Sequence, residues 1–154
     1  MTAYFFDTSG LVKRFSRETG SIWTINLLKP SSGNTIYIAR ITAVETVSAL
    51  TRRARAGSLT LVQAGRAIQR FEKSLFGRYA IIEIRPTVAN RAMLLAKIHG
   101  LRGFDAVQLA AALTANDERL SLGANSLTLV SADTALNAAA SLEGLMVDNP
   151  NHHP

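Results

Sequence analysis

Hydrophobic positions along the chain fall into short runs of β character separated by longer stretches with helical spacing. Ala3–Phe6 (AYFF), Ile36–Ala39 (IYIA), Ile81–Ile84 (IIEI) and Leu127–Val130 (LTLV) predict four strands, and Leu145–Val147 a short fifth. Helical patterns cover Ser9–Phe15 and Ser21–Leu28, the second stopped by Pro30 and a Ser31-Ser32-Gly33-Asn34 turn. Thr42–Ala56 carries Val44, Val47, Leu50 and Ala54 on one side and stops at Gly57. Leu59 to about Phe76 is a second long amphipathic stretch, and Thr87–His99 follows a proline suited to a first turn and ends at Gly100. Asp105–Ala115 is an apolar helix, and Thr134–Ser141 the last. This order predicts an α/β fold, with a mostly parallel central sheet of four to five strands flanked by helices on both faces. Residues 1–148 are expected to form one domain and residues 149–154 a polar, flexible C-terminal tail.

Composition narrows the chemistry. The 154 residues include no cysteine, which excludes a disulfide framework, a thiolate metal site and a cysteine nucleophile. The histidines are His99 at a helix end and His152 and His153 in the tail, too few and too scattered for histidine acid–base catalysis. Phosphate-loop, dinucleotide and nucleophile-elbow signatures do not occur, nor does an EF-hand loop. No apolar run is long enough to span a membrane and the first residues do not read as a secretory leader, so a cytoplasmic protein is expected. Lys and Arg total 17 against 11 Asp and Glu, and 13 of the 17 are Arg, whose forked guanidinium suits phosphate oxygens.

In a chain short of acids, four carboxylates stand in unusual places. Asp7 follows the first strand directly. Glu45 is placed in the first turn of the helix after the second strand, Asp105 opens the apolar helix, and Asp133 begins the last helix. In a parallel sheet the strand C-termini and the helix N-termini share one edge, where open α/β sheets place their ligand crevice. All four acids fall on that edge. Each by itself could be a helix cap or a first-turn acid, with Thr42–Glu45 and Asp105–Gln108 at capping-box spacing. Together they would repel one another, with raised pKa values, unless a cation neutralised them. An all-oxygen donor set selects a hard divalent ion, Mg2+ or Mn2+.

Four stretches, YFFDTSGLVKRF, ITAVETVSALTRR, HGLRGFDAVQLAAAL and LVSADTALNAAASLEGLMVDNP, resemble in order and spacing the PIN-domain family, and more narrowly the VapC-type toxins of type II toxin–antitoxin systems. The resemblance covers nearly the whole chain. It implies a PIN-like three-layer sandwich, an acidic pocket that binds Mg2+ or Mn2+, and endoribonuclease activity. By motif it carries over Asp7, Glu45, Asp105 and Asp133 as catalytic and metal-binding residues. Ser9 and Ser131 match small hydroxyl positions near the site, with helix capping as the other reading. Arg40 lies close to the acidic edge, either to touch substrate phosphate or to balance charge. Gly103-Phe104 precedes Asp105 where relatives often carry a small residue and proline. The partners implied are an RNA substrate, a cognate VapB-like antitoxin and a second copy in a homodimer. The helices at Ser9–Leu28 and Leu59–Phe76 are candidates for the antitoxin groove or the dimer face. Lys13, Arg14, Arg17, Arg52, Arg53 and Arg55 are candidates for following an RNA backbone. The alternatives are a non-catalytic RNA- or protein-binding module of the same fold, and a phosphatase or DNA nuclease using the same acids.

Overall fold

The computed structural model describes residues 2–154 of the chain. Its elements run β1 (Ala3–Phe6), α1 (Thr8–Leu11), a 3-10 turn (Val12–Phe15), α2 (Ser21–Leu28), β2 (Thr35–Ala39), α3 (Arg40–Arg55) and α4 (Leu61–Ser74). They continue with β3 (Tyr79–Ile82), α5 (Pro86–His99), α6 (Gly103–Ser121), β4 (Thr128–Val130), α7 (Thr134–Leu142), β5 (Met146–Asp148) and a 3-10 turn at Pro150–His152. The five strands form one sheet in the order β3-β2-β1-β4-β5, every pair parallel.

Strand periodicity divides the core into two layers. Ala3 and Phe5 of β1, with Leu129 of β4, pack under α5, α6 and α7. Phe6, Ile36, Ile38 and Val130 face the other way, against Leu11, Leu28 and Phe71 of the first four helices. Successive strand side chains point to opposite faces, so near-continuous apolar strands feed both layers at once. The α6 face is built from Ala106, Ala110, Ala111, Ala112 and Ala115, all buried. Such small side chains let its backbone lie close to the sheet and to α5.

Some boundaries differ from the sequence expectation. Helix α3 starts at Arg40, straight off β2, so Glu45 lies in its second turn and not its first. Strand β3 comes two residues earlier than expected, because its ladder with β2 ends at the Ala39–Ile82 pair, where β2 turns into α3. Helix α4 begins after Thr60, whose side chain and that of Gln63 form a reciprocal capping box. Residues 149–154 are not the frayed tail expected from their polarity. His153 stacks on Trp23 with ring centroids 4.0 Å apart and its Nε2 lies 2.7 Å from Asp148 Oδ1. Lys13, buried, donates to the Asn151 side chain. A flat aromatic face and a buried ammonium supply partners that composition alone does not reveal.

Gly10 allows α1 to sit against the end of β4: a Cβ there would lie 2.6 Å from the Val130 carbonyl oxygen, a backbone atom with no room to move. Gly65, inside α4, faces open space. Gly10→Ala is therefore expected to destabilise the fold by about 2 kcal/mol or more. Gly65→Ala is expected to stabilise it by roughly 0.5–1 kcal/mol through helix propensity. Urea denaturation of both variants checks the opposite signs.

Candidate active site

The strand order reverses between β1 and β4, which neighbour one another at the centre of the sheet although most of the sequence separates them. In open α/β sheets that reversal leaves a crevice beyond the strand C-termini, because the connections on either side turn away from it. Asp7 stands at its mouth, one residue past β1. Its backbone N–H donates to the Val130 carbonyl. Its side chain is 4% exposed and accepts from the Gly10 N–H at 2.8 Å, from Ser9 Oγ at 2.8 and 2.9 Å, and from Ser131 Oγ at 2.8 Å. Ser9 in turn accepts from the Ala132 N–H, and Ser131 from the Asp133 N–H, both at 3.0 Å. Asp133 caps α7 by accepting from the Leu136 N–H at 2.9 Å. One short chain of hydrogen bonds thus links the ends of β1 and β4 to the start of α7.

Burial pushes the Asp7 carboxyl up to about 6, against the pull of its three donors, and the charge of Asp105 adds to the rise. The Asp105 carboxyl is also held above the ordinary range. Desolvation is the main cause; Asp133 and Glu45 add to it, and Arg102 opposes them. The four acids therefore bear on one another electrostatically across four chain segments.

Glu45 is fixed by a second network. Its Oε1 accepts from Thr8 Oγ1 at 2.7 Å and from Gln108 Nε2 at 3.1 Å. Gln108, 2% exposed, also donates to Thr42 Oγ1 at 2.8 Å. The capping boxes suggested by Thr42–Glu45 and Asp105–Gln108 do not form. Thr42, Glu45 and Gln108 are spent instead on contacts among α1, α3 and α6. The sequence pattern does not mark Thr8, and marks Thr42 and Gln108 only as cap partners. The readable signal was Gln108 itself, a lone amide in the apolar run of α6, which cannot be buried there without partners. Ser9 and Ser131 hold the Asp7 carboxylate. Arg40 forks onto the exposed carboxylate of Glu83, an acid outside the four. Lys13, expected to follow an RNA backbone, is instead buried against Glu18 and Asn151. Arg14 donates to the Tyr79 hydroxyl, whereas Arg17, Arg52 and Arg55 are exposed. Neutral hydroxyl and amide N–H donors satisfy the Asp7 and Glu45 carboxylates without a cation, while Asp105 keeps the repulsion of Asp133 and Glu45. Among the described residues no three carboxylate or imidazole side chains stand together as a ready metal shell.

Among curated proteins, a relative is the ribonuclease VapC45 of Mycobacterium tuberculosis (strain CDC 1551 / Oshkosh), 33% identical over 120 residues that cover 78% of this chain and 81% of the relative. Two solved structures share the fold. FitAcB from Neisseria gonorrhoeae superposes with a TM-score of 0.66 at 21% identity, covering 97% of this chain and 99% of its own. A toxin–antitoxin complex from Klebsiella pneumoniae superposes with a TM-score of 0.64 at 22% identity, covering 96% and 97%. The PIN domain profile matches residues 4–142, a span that runs from β1 to the end of α7 and takes in all four acids. On that match and on the relative, the chain belongs to the PIN domain family.

Proposed function

We propose that this protein is an endoribonuclease dependent on Mg2+ or Mn2+, the toxin of a toxin–antitoxin pair, with Asp7, Glu45, Asp105 and Asp133 as its working carboxylates. The observation that carries the proposal is the buried Asp7 at the strand-order reversal, with the charges of Asp105, Asp133 and Glu45 bearing on the same edge. The family and a curated relative named as a ribonuclease supply the reaction class.

The donor set fits a hard dication, since every candidate ligand is a carboxylate oxygen. Two protein carboxylates are enough for Mg2+. That ion usually binds through one or two carboxylates and completes its shell with water and substrate phosphate. Asp7 and Asp105 are assigned as the direct holders, and Glu45 and Asp133 as further ligands or as the groups that orient water. When bound, the ion supplies an acidified water and charge neutralisation at the phosphoryl oxygens. Ser9, Ser131 and the Gly10 N–H keep the Asp7 carboxylate in one orientation, which spares its reorganisation during the reaction. Thr8 and Gln108 do the same for Glu45.

Charge elsewhere supports an RNA substrate: without the four site acids the chain carries 17 basic against 7 acidic residues. An antitoxin partner is supported by the depression of about 490 Å³ between the Val12–Phe15 turn, α2 and α4, lined by Phe15, Arg17, Ile25, Leu59 and Arg66. We assign this surface to the antitoxin and expect a homodimer in solution. Among the described residues no helix is long and apolar enough to cross a membrane; we place the protein in the cytoplasm.

Asp7→Asn keeps the size of the side chain and an acceptor for Gly10. It is expected to reduce Mg2+-dependent RNA cleavage by at least about a hundredfold with the circular-dichroism spectrum unchanged; cleavage at the wild-type rate would refute the assignment. Stability of the metal-free protein should depend on pH in a defined sense. In the unfolded chain Asp7 titrates near 3.8, and in the folded one at about 6. The folded state therefore binds the extra proton between these values, and the Asp7 contribution to stability is full below about pH 4 and is lost as pH rises through 6. The loss is on the order of 2 kcal/mol, read by urea titration at pH 4 and pH 7. Asp7→Asn should flatten it. Millimolar Mn2+ at pH 7 should raise the melting temperature of the wild type and leave that of Asp7→Asn nearly unchanged, by linkage.

A further inference from the structure

An apolar cleft opens between α5 and α6, beside the candidate active site and separate from its carboxylates. Its volume is about 520 Å³, within the roughly 300–1,000 Å³ of small-molecule sites. Ala92 and Ala106, both buried, form its floor, and Phe104, Met93 and Arg102 stand at its edge. Phe104 is 63% exposed. Nothing in the packing of α6 calls for an aromatic at this position, and leaving one in water forgoes a large burial gain. Among the described residues Arg102 makes no ion pair, yet its charge bears on Asp105.

Position gives these features a common meaning. Arg102, Gly103 and Phe104 immediately precede Asp105, and Ala106 and Val107 immediately follow it; all five of the flanking residues line the cleft. A single turn of α6 therefore presents a carboxylate to the crevice and an aromatic edge to the cleft. A substrate phosphate held near Asp105 through a divalent cation would carry its neighbouring base within reach of Phe104. Bare alanine walls accept a flat ring without clash, an exposed aromatic offers a stacking face, and a free guanidinium serves either a phosphate or the edge of a base.

We propose that the α5–α6 cleft is the subsite for a nucleobase adjoining the scissile phosphate, with Phe104 as its stacking face and Arg102 as the cation at its edge. The subsite rests on the ribonuclease reading above and adds a specificity element to it. Stacking tolerates every base, so the cleft contributes affinity and register along a single strand more than the identity of one base.

The test measures two quantities on the full chain. One is the Kd for a fluorescently labelled single-stranded oligoribonucleotide, read by anisotropy in EDTA so that cleavage does not intervene. The other is the steady-state cleavage of the same RNA in Mg2+. Phe104→Ala is expected to raise both Kd and KM about tenfold with kcat within about twofold, and Phe104→Tyr to restore both. Phe76→Ala removes another exposed aromatic, beyond the end of α4, and should change neither. The melting temperature of Phe104→Ala should match that of the wild type, because the side chain is exposed. Unchanged Kd and KM in Phe104→Ala, with the wild type cutting RNA, would overturn the subsite alone. So would a fall in kcat with no change in Kd. If Phe104→Ala instead converts a dimer to a monomer at unchanged RNA affinity, a second copy covers the cleft and the subsite is likewise refuted. A wild-type protein that cuts no RNA would overturn the ribonuclease reading and the subsite with it.

Discussion

A buried carboxylate at the point where the strand order reverses is the constraint around which the rest of the structure is arranged. Asp7 follows the central strand and has lost nearly all its water. In return it receives the Ser9 and Ser131 hydroxyls and the Gly10 N–H. Each of those donors depends on something else. Gly10 lies close enough to Val130 that no side chain fits. Ser131 is placed by the β1–β4 pairing, and Ser9 is tied to the backbone of residue 132. Moving β4 relative to β1 would break the Ser131 bond and leave a buried charge short of partners, which is among the costlier defects a fold can carry. The site and the centre of the sheet therefore hold each other in register.

The carboxylates differ in how they are held. Asp7 is buried and bonded on both oxygens, so its direction is set by the fold. Glu45 is anchored through one oxygen by Thr8 and Gln108. Asp133 spends one oxygen on the α7 cap. Asp105 lies in the first turn of α6 between the charges of Asp133 and Glu45 on one hand and Arg102 on the other. Neutral donors meet part of the cost of burying Asp7 and of holding Glu45. A dication would then add to a site that is already assembled, and substrate phosphate could complete its shell.

Around this centre the molecule separates its surfaces by chemistry. The arginine-bearing depression between α2 and α4 lies toward the far end of α3 from Glu45: Arg53, which lines the adjoining hollow, is eight residues further on, about 12 Å along the helix. The alanine-floored cleft between α5 and α6 instead shares a helical turn with Asp105. One surface is distant enough to bind a partner without touching the reaction, and the other is close enough to bear on the substrate.

The amino-acid pattern was enough to place the sheet and the four acids along it. Strand and helix periods differ, and a parallel topology sends every strand end to one edge, so Asp7, Glu45, Asp105 and Asp133 could be placed there from pattern alone. It also carried the family resemblance, in four short stretches whose order matters more than any one of them. Pairing between side chains far apart in the chain was not readable. Thr42–Glu45 and Asp105–Gln108 have the spacing of local caps, and a sequence offers no way to know that Gln108 is within reach of Thr8, Thr42 and Glu45. The tail met the same obstacle: its polarity argued for solvent, while Trp23 and the buried Lys13 supply partners from distant segments. Local periodicity is written into the chain one residue at a time, whereas a hydrogen bond between residues a hundred positions apart exists only once the packing of helices on the sheet has brought them together. Tertiary structure alone decided which of two chemically reasonable partners each polar side chain would take.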